Sequence, residues 1–566
     1  MENTIFYAKN TLASAIGLAL SMTVQAEVLP NIGDVLKQIE PPKMQEESQP
    51  ELPQIHGMPI EPPMTSLPSG QKVLVKTFKI IGNREIEKPE LESLIADDAG
   101  KEYSLAELEL VTQKITKYYR SKGYFVARAY LPAQEVEDNH IKIRVVEGNY
   151  GQFHLKNESL VNDEIVQGML DDVKDYDIVS LDTLERAMLI INDTPGAQIT
   201  RADVMPGEKV GTSDFAVGAT ATPRHNGFVM YDNYGSVYTG EHRFSLNYDL
   251  NSPTGHGDKL SFTGMATENA DLLNGRLGYS IPLMPNGLKS EVALSYTHYA
   301  LGDTYSSLDA TGTAKSVEAT LTYPLRRIRA QTIETSLNFA AKELEDKIGN
   351  ANATNPRDNY SLTAGINIRD ERTLLGLDGM TTASLQATVG DLTINDATFR
   401  QNDTLGARTN GFFSKAVLNL SRAMLLPEKF TLTTSFKMQH SLNGKNLDSS
   451  ERMSVSGQNG VYAYPIGELI GSNARLVKLE IARPLPAIQK LQHNWLVFAS
   501  HGYAEAENPV SASEKGRDIN DVGVGWKGSY ESLIVNAHLA YRLDEKAPIS
   551  EKEDRVRFLI QAGWIF

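Results

Sequence analysis

The last twelve residues constrain this chain more than any other stretch. They read Arg555-Val556-Arg557-Phe558-Leu559-Ile560-Gln561-Ala562-Gly563-Trp564-Ile565-Phe566. Val556, Phe558, Ile560, Ala562, Trp564 and Phe566 share one face of a strand. Arg557, Gln561 and Gly563 share the other, with Leu559 and Ile565 as exceptions. A period of two puts apolar side chains on one surface and mostly polar ones on the opposite surface. A soluble sandwich strand can alternate in this way, but it rarely ends on an exposed aromatic carboxyl terminus. The closing strand of a barrel in lipid does, because its outer face meets hydrocarbon and its inner face meets water. The expectation is a membrane β-barrel, with a soluble sheet as the alternative.

Composition agrees. The chain has 566 residues, 41% of them hydrophobic, and a mean hydropathy of -0.30. No run of about 18 apolar residues occurs beyond the N-terminus, so no helical span is expected. Barrel strands, polar on one side, escape that test. Residues 1–26 read as a secretory signal: Lys9, an apolar run from Leu12 to Val24, then Val24-Gln25-Ala26 for cleavage before Glu27. A short buried helix is the alternative. The net charge of -16 argues against sequence-independent nucleic-acid binding. There is no cysteine, hence no disulfide or thiolate metal site.

Organisation follows from periodicity. Asn31 to Glu40 reads as an amphipathic helix with Ile32, Val35, Leu36 and Ile39 on one stripe, stopped by Pro41 and Pro42. Residues 42–72 are rich in Pro, Glu, Gln and Ser, the composition of an extended linker. The helix is then either tethered and mobile or packed on the next domain. Residues 73–148 read β-α-α-β-β: a strand from Val73 to Ile81, a helix from Pro89 to Asp97, and a longer helix capped by Ser104 and Glu107. That helix buries Leu105, Leu108, Val111, Ile115 and Tyr119. Strands over Phe125 to Leu131 and Ile141 to Val146 complete the module. Residues 149–222 repeat the order, with helices at Asn162 to Leu170 and Leu181 to Asn192. From Asn226 onward no helix is expected. About sixteen alternating segments follow, an even number that lets a barrel close antiparallel. Asp346 to Asp358 and Ser441 to Ser472 read as long polar loops, and Met284-Pro285-Asn286-Gly287 as a short turn.

Several stretches carry a family resemblance. They are Gly82-Asn83, Gly123-Tyr124, Leu131-Pro132-Ala133-Gln134 and Val146-Glu147-Gly148, then Leu189 to Gly196 and Met205-Pro206-Gly207. Asp232-Asn233-Tyr234-Gly235, Thr239-Gly240 and Gly255-His256-Gly257-Asp258 follow. In this order the chain resembles the two-partner secretion transporters, the hemolysin-activation, adhesin-export and contact-dependent inhibition exporters of the outer-membrane assembly superfamily. The resemblance implies a mainly β protein. An N-terminal plug helix would lie in residues 27–41, two α/β POTRA domains in residues 73–148 and 149–222, and a sixteen-stranded transmembrane barrel in residues 223–566. It further implies POTRA domains in the periplasm that capture a large unfolded exoprotein, which the barrel passes to the cell surface without ATP. The implied partners are that exoprotein, outer-membrane lipid and the barrel assembly machinery, around a monomeric barrel. Trp564 and Phe566 would form the assembly signal.

The family's marked motif lies in the sixth extracellular loop, here Gly460-Val461-Tyr462-Ala463-Tyr464-Pro465-Ile466-Gly467-Glu468. The usual pattern has arginine where this chain has Tyr462. The arginine's usual aspartate partner falls in Phe498-Ala499-Ser500-His501-Gly502, where Ser500 stands instead. Losing one charge of a buried pair costs about 3–5 kcal/mol, whereas losing both can be near neutral. One expectation is that Tyr462 docks the loop through a neutral contact near Ser500; the other is that it packs in the lumen.

Client recognition would use strand addition at a POTRA sheet edge. Leu184, Met188 and Ile199 are candidates for that groove or for the core. The eleven histidines, His493 and His501 included, lack metal spacing, and neither G-x-S-x-G nor a P-loop occurs. Neither cofactor nor catalysis is expected. Asp232-Asn233 reads as a hairpin turn rather than a calcium site, and Glu343 and Glu345 as solvated charge at a loop edge. An assembly factor of the same superfamily is the alternative function. A passive porin would not need the periplasmic repeat.

Overall fold

The computed structural model describes residues 29–39, 54–56, 72–136, 138–374, 376–511, 514–545, 547–548, 550 and 554–566. The proposed signal sequence and most of the linker lie outside the described residues.

The plug helix is shorter than expected. α1 spans Ile32–Val35, a single turn closed by a capping box between Asn31 and Asp34, and the chain continues in turns to Ile39. Beyond Val35 the backbone tightens into turns in which Lys37 and Gln38 bond three residues back, and Gln38 is held by the barrel wall: its carbonyl accepts from Arg243 and its side-chain oxygen accepts from Thr239 Oγ1 at 2.8 Å.

In the first module the expected strand over Val73 to Ile81 splits. Val73–Val75 pairs antiparallel with Lys101–Tyr103, whereas Thr77–Ile81 pairs parallel with His140–Val146. Arg128–Tyr130 forms the other edge of that sheet. α2 (Lys88–Leu94) and α3 (Leu105–Ser121) cover it. The Ser104–Glu107 capping box starts α3, which buries Leu108, Val111, Ile115 and Tyr119. Leu105, expected on that face, is half exposed in the first turn. Glu147 ties the module together. It accepts from the backbone of Arg84 (2.7 Å) and Glu85 (2.9 Å) and from the Tyr119 hydroxyl (2.8 Å). Burial and that carboxylate hold the Tyr119 hydroxyl well above its ordinary pKa.

The second module comprises Asn149–Glu158, α4 (Asp163–Asp171), α5 (Leu181–Asn192), Gln198–Pro206 and Thr212–Thr220. Leu184, Met188 and Ile199 are fully buried in its core, so they do not line an open groove. Its sheet carries an unforeseen fourth strand: Gln54–His56, from the linker, lies parallel to Arg201–Asp203 at the sheet edge. Ile55 packs on the module core. The module is fixed to the barrel by α5. Arg327 meets Asp193 at 2.7 Å and Arg329 meets Glu185 at 2.9 Å, with both arginines near one periplasmic turn.

Sixteen antiparallel strands, from His225–Asp232 to Val556–Ile565, form the closed barrel. Phe244, Leu246, Val292, Leu294, Leu337, Phe339, Trp564 and Phe566 point outward and are exposed. Inward positions are polar and pair across strands, as in Asn338 Nδ2 to Thr320 Oγ1 (2.8 Å) and Asn536 Nδ2 to Gln561 Oε1 (2.9 Å). Two expectations need correction. Asp346 to Asp358 is not a long loop: strands Gln331–Ile348 and Ala353–Asp370 run through it, joined at Gly349–Ala351 and Asn352. A strand such as Ala310–Ile328, of 19 residues, reaches about 60 Å, roughly twice the hydrocarbon thickness. Its outer end therefore stands in water, where charges such as Glu343 and Glu345 pair on the surface with Lys315 and Lys347. The barrel region also contains a short helix, α6 (Ala397–Leu405), capped by Asp396.

An arginine at outward-facing Leu337 should cost about 2–4 kcal/mol if it lies near the bilayer midplane. Urea titration in liposomes should show that loss for Leu337→Arg. The lumen-facing change Asn338→Ser should shift the midpoint far less.

Candidate functional site in the barrel lumen

The lumen is occupied by two segments of the chain itself, and they touch. α1 sits against one wall. Ile32 and Val35 are fully buried among Tyr238, Leu272, Tyr299, Leu301 and Leu344, with Leu36 and Ile39 packed at the margin. The Ile32 amide donates to Asp346 Oδ1 at 2.7 Å. The other face of α1 rests on the sixth loop, which joins strands Thr431–Ser441 and Asn473–Pro484 and carries the motif. Ser449 Oγ donates to Asn31 Oδ1 at 2.5 Å, and Lys37 Nζ to the Ser450 carbonyl at 3.1 Å. Gly33 makes this approach possible. A Cβ there would lie 2.2 Å from Ser449 Oγ and 2.3 Å from the Ser450 amide nitrogen.

Asp232, read from sequence as part of a turn, is the centre of a buried network. Arg243 and Asp232 are both inaccessible to solvent and meet at 2.7 Å. Arg243 also donates to the Gln38 carbonyl of the plug and to Gln458 Oε1 of the loop (2.5 Å). One guanidinium thus bonds the wall, the plug and the loop, through the several donors that its planar fork supplies. Neither Arg243 nor Gln38 was singled out in the sequence. An arginine eleven residues after an aspartate carries no local signal, because only strand pairing makes the two residues neighbours.

The loop is stapled across the lumen by charge. Glu451, buried, meets Lys342 at 2.9 Å and Lys415 at 2.8 Å, and accepts from Asn359 at 2.8 Å. Asp448 meets Arg357 at 2.6 Å. At the far end, Glu468 meets Arg517 at 2.6 Å and accepts from the Ser550 hydroxyl at 2.7 Å. Between these staples lies the motif. Val461, Ala463 and Tyr464 are buried with Leu476, Leu496, Phe498 and Ile519, and Pro465 is buried beside them. Gly467 adopts a φ of 79°, which turns the chain into Glu468. Gly502 leaves room for the loop, since a Cβ there would sit 3.1 Å from both Val455 and Val461. The Tyr464 hydroxyl donates to Asp544 Oδ2 at 2.8 Å.

Tyr462 makes its contacts through its ring. The ring stands edge-on to Phe498 at 5.0 Å and tilts against His538 at 5.1 Å. The hydrogen bond that ties this part of the loop to the wall comes from the next residue: the Ala463 amide donates to Asp521 Oδ2 at 2.9 Å. Ser500 is buried in the wall, directly opposite Asp521 in the strand register. His493 and His501 serve structure, beside Trp526 and Asn520 respectively. Among the described residues no His, Asp and Glu group has metal-site geometry.

The barrel closes where Phe228–Asp232 pairs with Gln561–Ile565. Phe566 extends that seam, exchanging backbone hydrogen bonds with Gly227 at 2.9 and 3.0 Å, and its ring lies beside that of Trp564.

Removing Arg243 alone leaves Asp232 buried and uncompensated, at a cost of about 3–5 kcal/mol, and frees the plug and the loop. Arg243→Met should therefore raise single-channel conductance in planar bilayers, and Arg243→Met with Asp232→Asn should regain much of the lost stability. Gly33→Val should also raise conductance, by forcing α1 off the loop, without lowering barrel yield.

Comparison with known proteins bears on the family and the fold. Residues 211–528 match the family model described as haemolysin secretion/activation protein ShlB/FhaC/HecB, and residues 73–148 match a POTRA domain of ShlB type. The chain is 27% identical over 554 residues to the heme/hemopexin transporter protein HuxB of Haemophilus influenzae, covering 96% of this chain and 97% of that protein. It is 22% identical to the outer membrane transporter CdiB of Dickeya dadantii, covering 79% and 77%. The structure of CdiB from Escherichia coli superposes with a TM-score of 0.72 at 18% identity, over 90% of this chain and 94% of that one, so the two share a fold. This chain belongs to the ShlB/FhaC/HecB family of haemolysin secretion/activation proteins: it is an outer-membrane secretion transporter with periplasmic POTRA modules.

Proposed function

We propose that this transporter captures one large, unfolded exoprotein of the hemolysin, adhesin or contact-dependent inhibition class on its periplasmic modules and passes it through the lumen. The plug and the loop give way as the client enters. The observation that carries this reading is the strand Gln54–His56. The edge of the second module already accepts an extended segment in parallel register, Gln54 to Arg201 and His56 to Asp203. An extended client offers the same backbone donors and acceptors, and an apolar residue at the Ile55 position reaches the same core. The tether and the client therefore compete for one edge. The corresponding edge of the first module, Arg128–Tyr130, is a second place for strand addition, with no further strand paired outside it among the described residues.

The driving force is client folding at the cell surface, and no catalytic residue takes part. The outward apolar band contacts outer-membrane lipid. Trp564 and Phe566 serve the assembly machinery as a recognition signal, the barrel works as a monomer, and residues 223–566, 73–148 and 149–222 act as its separate parts.

The test is co-expression with a large exported protein sought among the products of the neighbouring genes. Deleting residues 73–222 should abolish its surface display, and full display after that deletion would refute the reading. Ile55→Asp should weaken the tether strand and tighten binding of the purified client N-terminal domain several-fold by isothermal titration. Weaker binding would show that the segment assists capture rather than competing with it. Deleting Phe566 should lower barrel abundance and secretion in proportion.

A further inference from the structure

Three neighbouring wall strands bring Lys478, Ser500 and Asp521 into one register row, with Lys478 opposite Ser500 and Ser500 opposite Asp521. Ser500 and Asp521 are buried under the tip of the sixth loop. The Lys478 ammonium lies 3.5 Å from the centroid of the Tyr462 ring. On the other side of the row, Asp521 accepts from the Ala463 amide at 2.9 Å. The nearest charges along the wall, Glu480 and Lys527, are satisfied by each other at 2.9 Å. Among the described residues the Lys478 ammonium makes no ion pair, and the ring is its close partner.

We propose that Lys478 and Asp521 are the positioning residues that hold the loop tip in the lumen. Lys478 grips Tyr462 through the face of its ring, and Asp521 grips the adjoining backbone. A cation over an aromatic face, shielded from water, is held more strongly than the same contact at the surface. A carboxylate accepting a backbone N–H forms a charge-assisted bond. The row also explains why positions 462 and 500 are neutral. An arginine at 462 would bring a second cation against Lys478. An aspartate at 500 would stand directly beside Asp521, where two carboxylates disfavour each other's ionisation. The loop's charged anchors thus stand on the two strands that flank Ser500. The proposal concerns how the loop is held and does not depend on the identity of the client.

The test uses the cysteine-free full-length protein in liposomes with Val461→Cys as reporter; Val461 is fully buried in the docked loop. Its labelling rate by a water-soluble thiol reagent reads undocking. Lys478→Met and Asp521→Asn should each raise that rate at least about tenfold in barrels that keep heat-modifiable mobility, the size expected for a lost desolvated contact. Lys478→Arg should preserve protection. In a Tyr462→Leu background, Lys478→Met should add little. Equal labelling of Val461→Cys with and without Lys478→Met, or a full Lys478→Met effect after Tyr462→Leu, would overturn the proposal. If Lys478→Met lowers barrel yield, Tyr462→Leu with Lys478 intact decides the matter. Retained protection there overturns it, and lost protection supports it.

Discussion

Backbone hydrogen bonding in hydrocarbon governs this molecule. An unpaired N–H or C=O costs several kcal/mol where no water can reach it, so a sheet that crosses lipid must close on itself. Here closure rests on the seam between the first and last strands, Phe228–Asp232 against Gln561–Ile565. Asn233 prolongs the seam with its side chain. It accepts from the Ile560 amide at 2.8 Å and donates to the Phe558 carbonyl at 2.9 Å, standing in for further strand backbone. Phe566 continues it at the other end through Gly227. Once the ring is shut, the outward face is apolar by requirement, and the inward face is free to be polar.

That polar interior sets up the next constraint. The inward faces of several strands carry charges that the sixth loop neutralises. Asp448 and Glu451 of the loop meet Arg357, Lys342 and Lys415 of the wall. Arg243 ties wall, plug and loop to one buried guanidinium. A buried ion pair gives little net stability compared with an apolar replacement, yet breaking one member is costly. Such contacts hold one definite arrangement, because each buried charge is compensated only while loop and wall stay together.

Much of this was legible because it is local. The period-two alternation in Val556 to Phe566 marks a strand with one apolar face whatever the rest of the chain does. The Ser104–Glu107 box announces α3, and the repeated β-α-α-β-β order separates the two periplasmic modules. Where reading by pattern failed, a non-local partner had intervened. The plug helix passes into turns after Val35, and Arg243 and Thr239 of the wall hold Gln38 at its end. The strand expected over Val73 to Ile81 divides because its halves pair with different sheets. Asp346 to Asp358 looked like a loop because it is polar, but it is strand, and Asp346 and Arg357 turn inward to the plug and the sixth loop.

The sequence by itself determined the class of fold and the order of its parts, since these depend on periodicity within single segments, and the order of its short motifs along the whole chain carried the family resemblance. It also showed that positions 462 and 500 are neutral. Only the tertiary structure decided which residues fill the lumen together: Gly33 on Ser449, Arg243 on Gln38 and Gln458, and Lys478 on Tyr462 beside Asp521. The physical reason is strand register. Residues tens or hundreds of positions apart become neighbours only when sixteen strands are fixed side by side, and no pattern within one strand records which partner stands opposite.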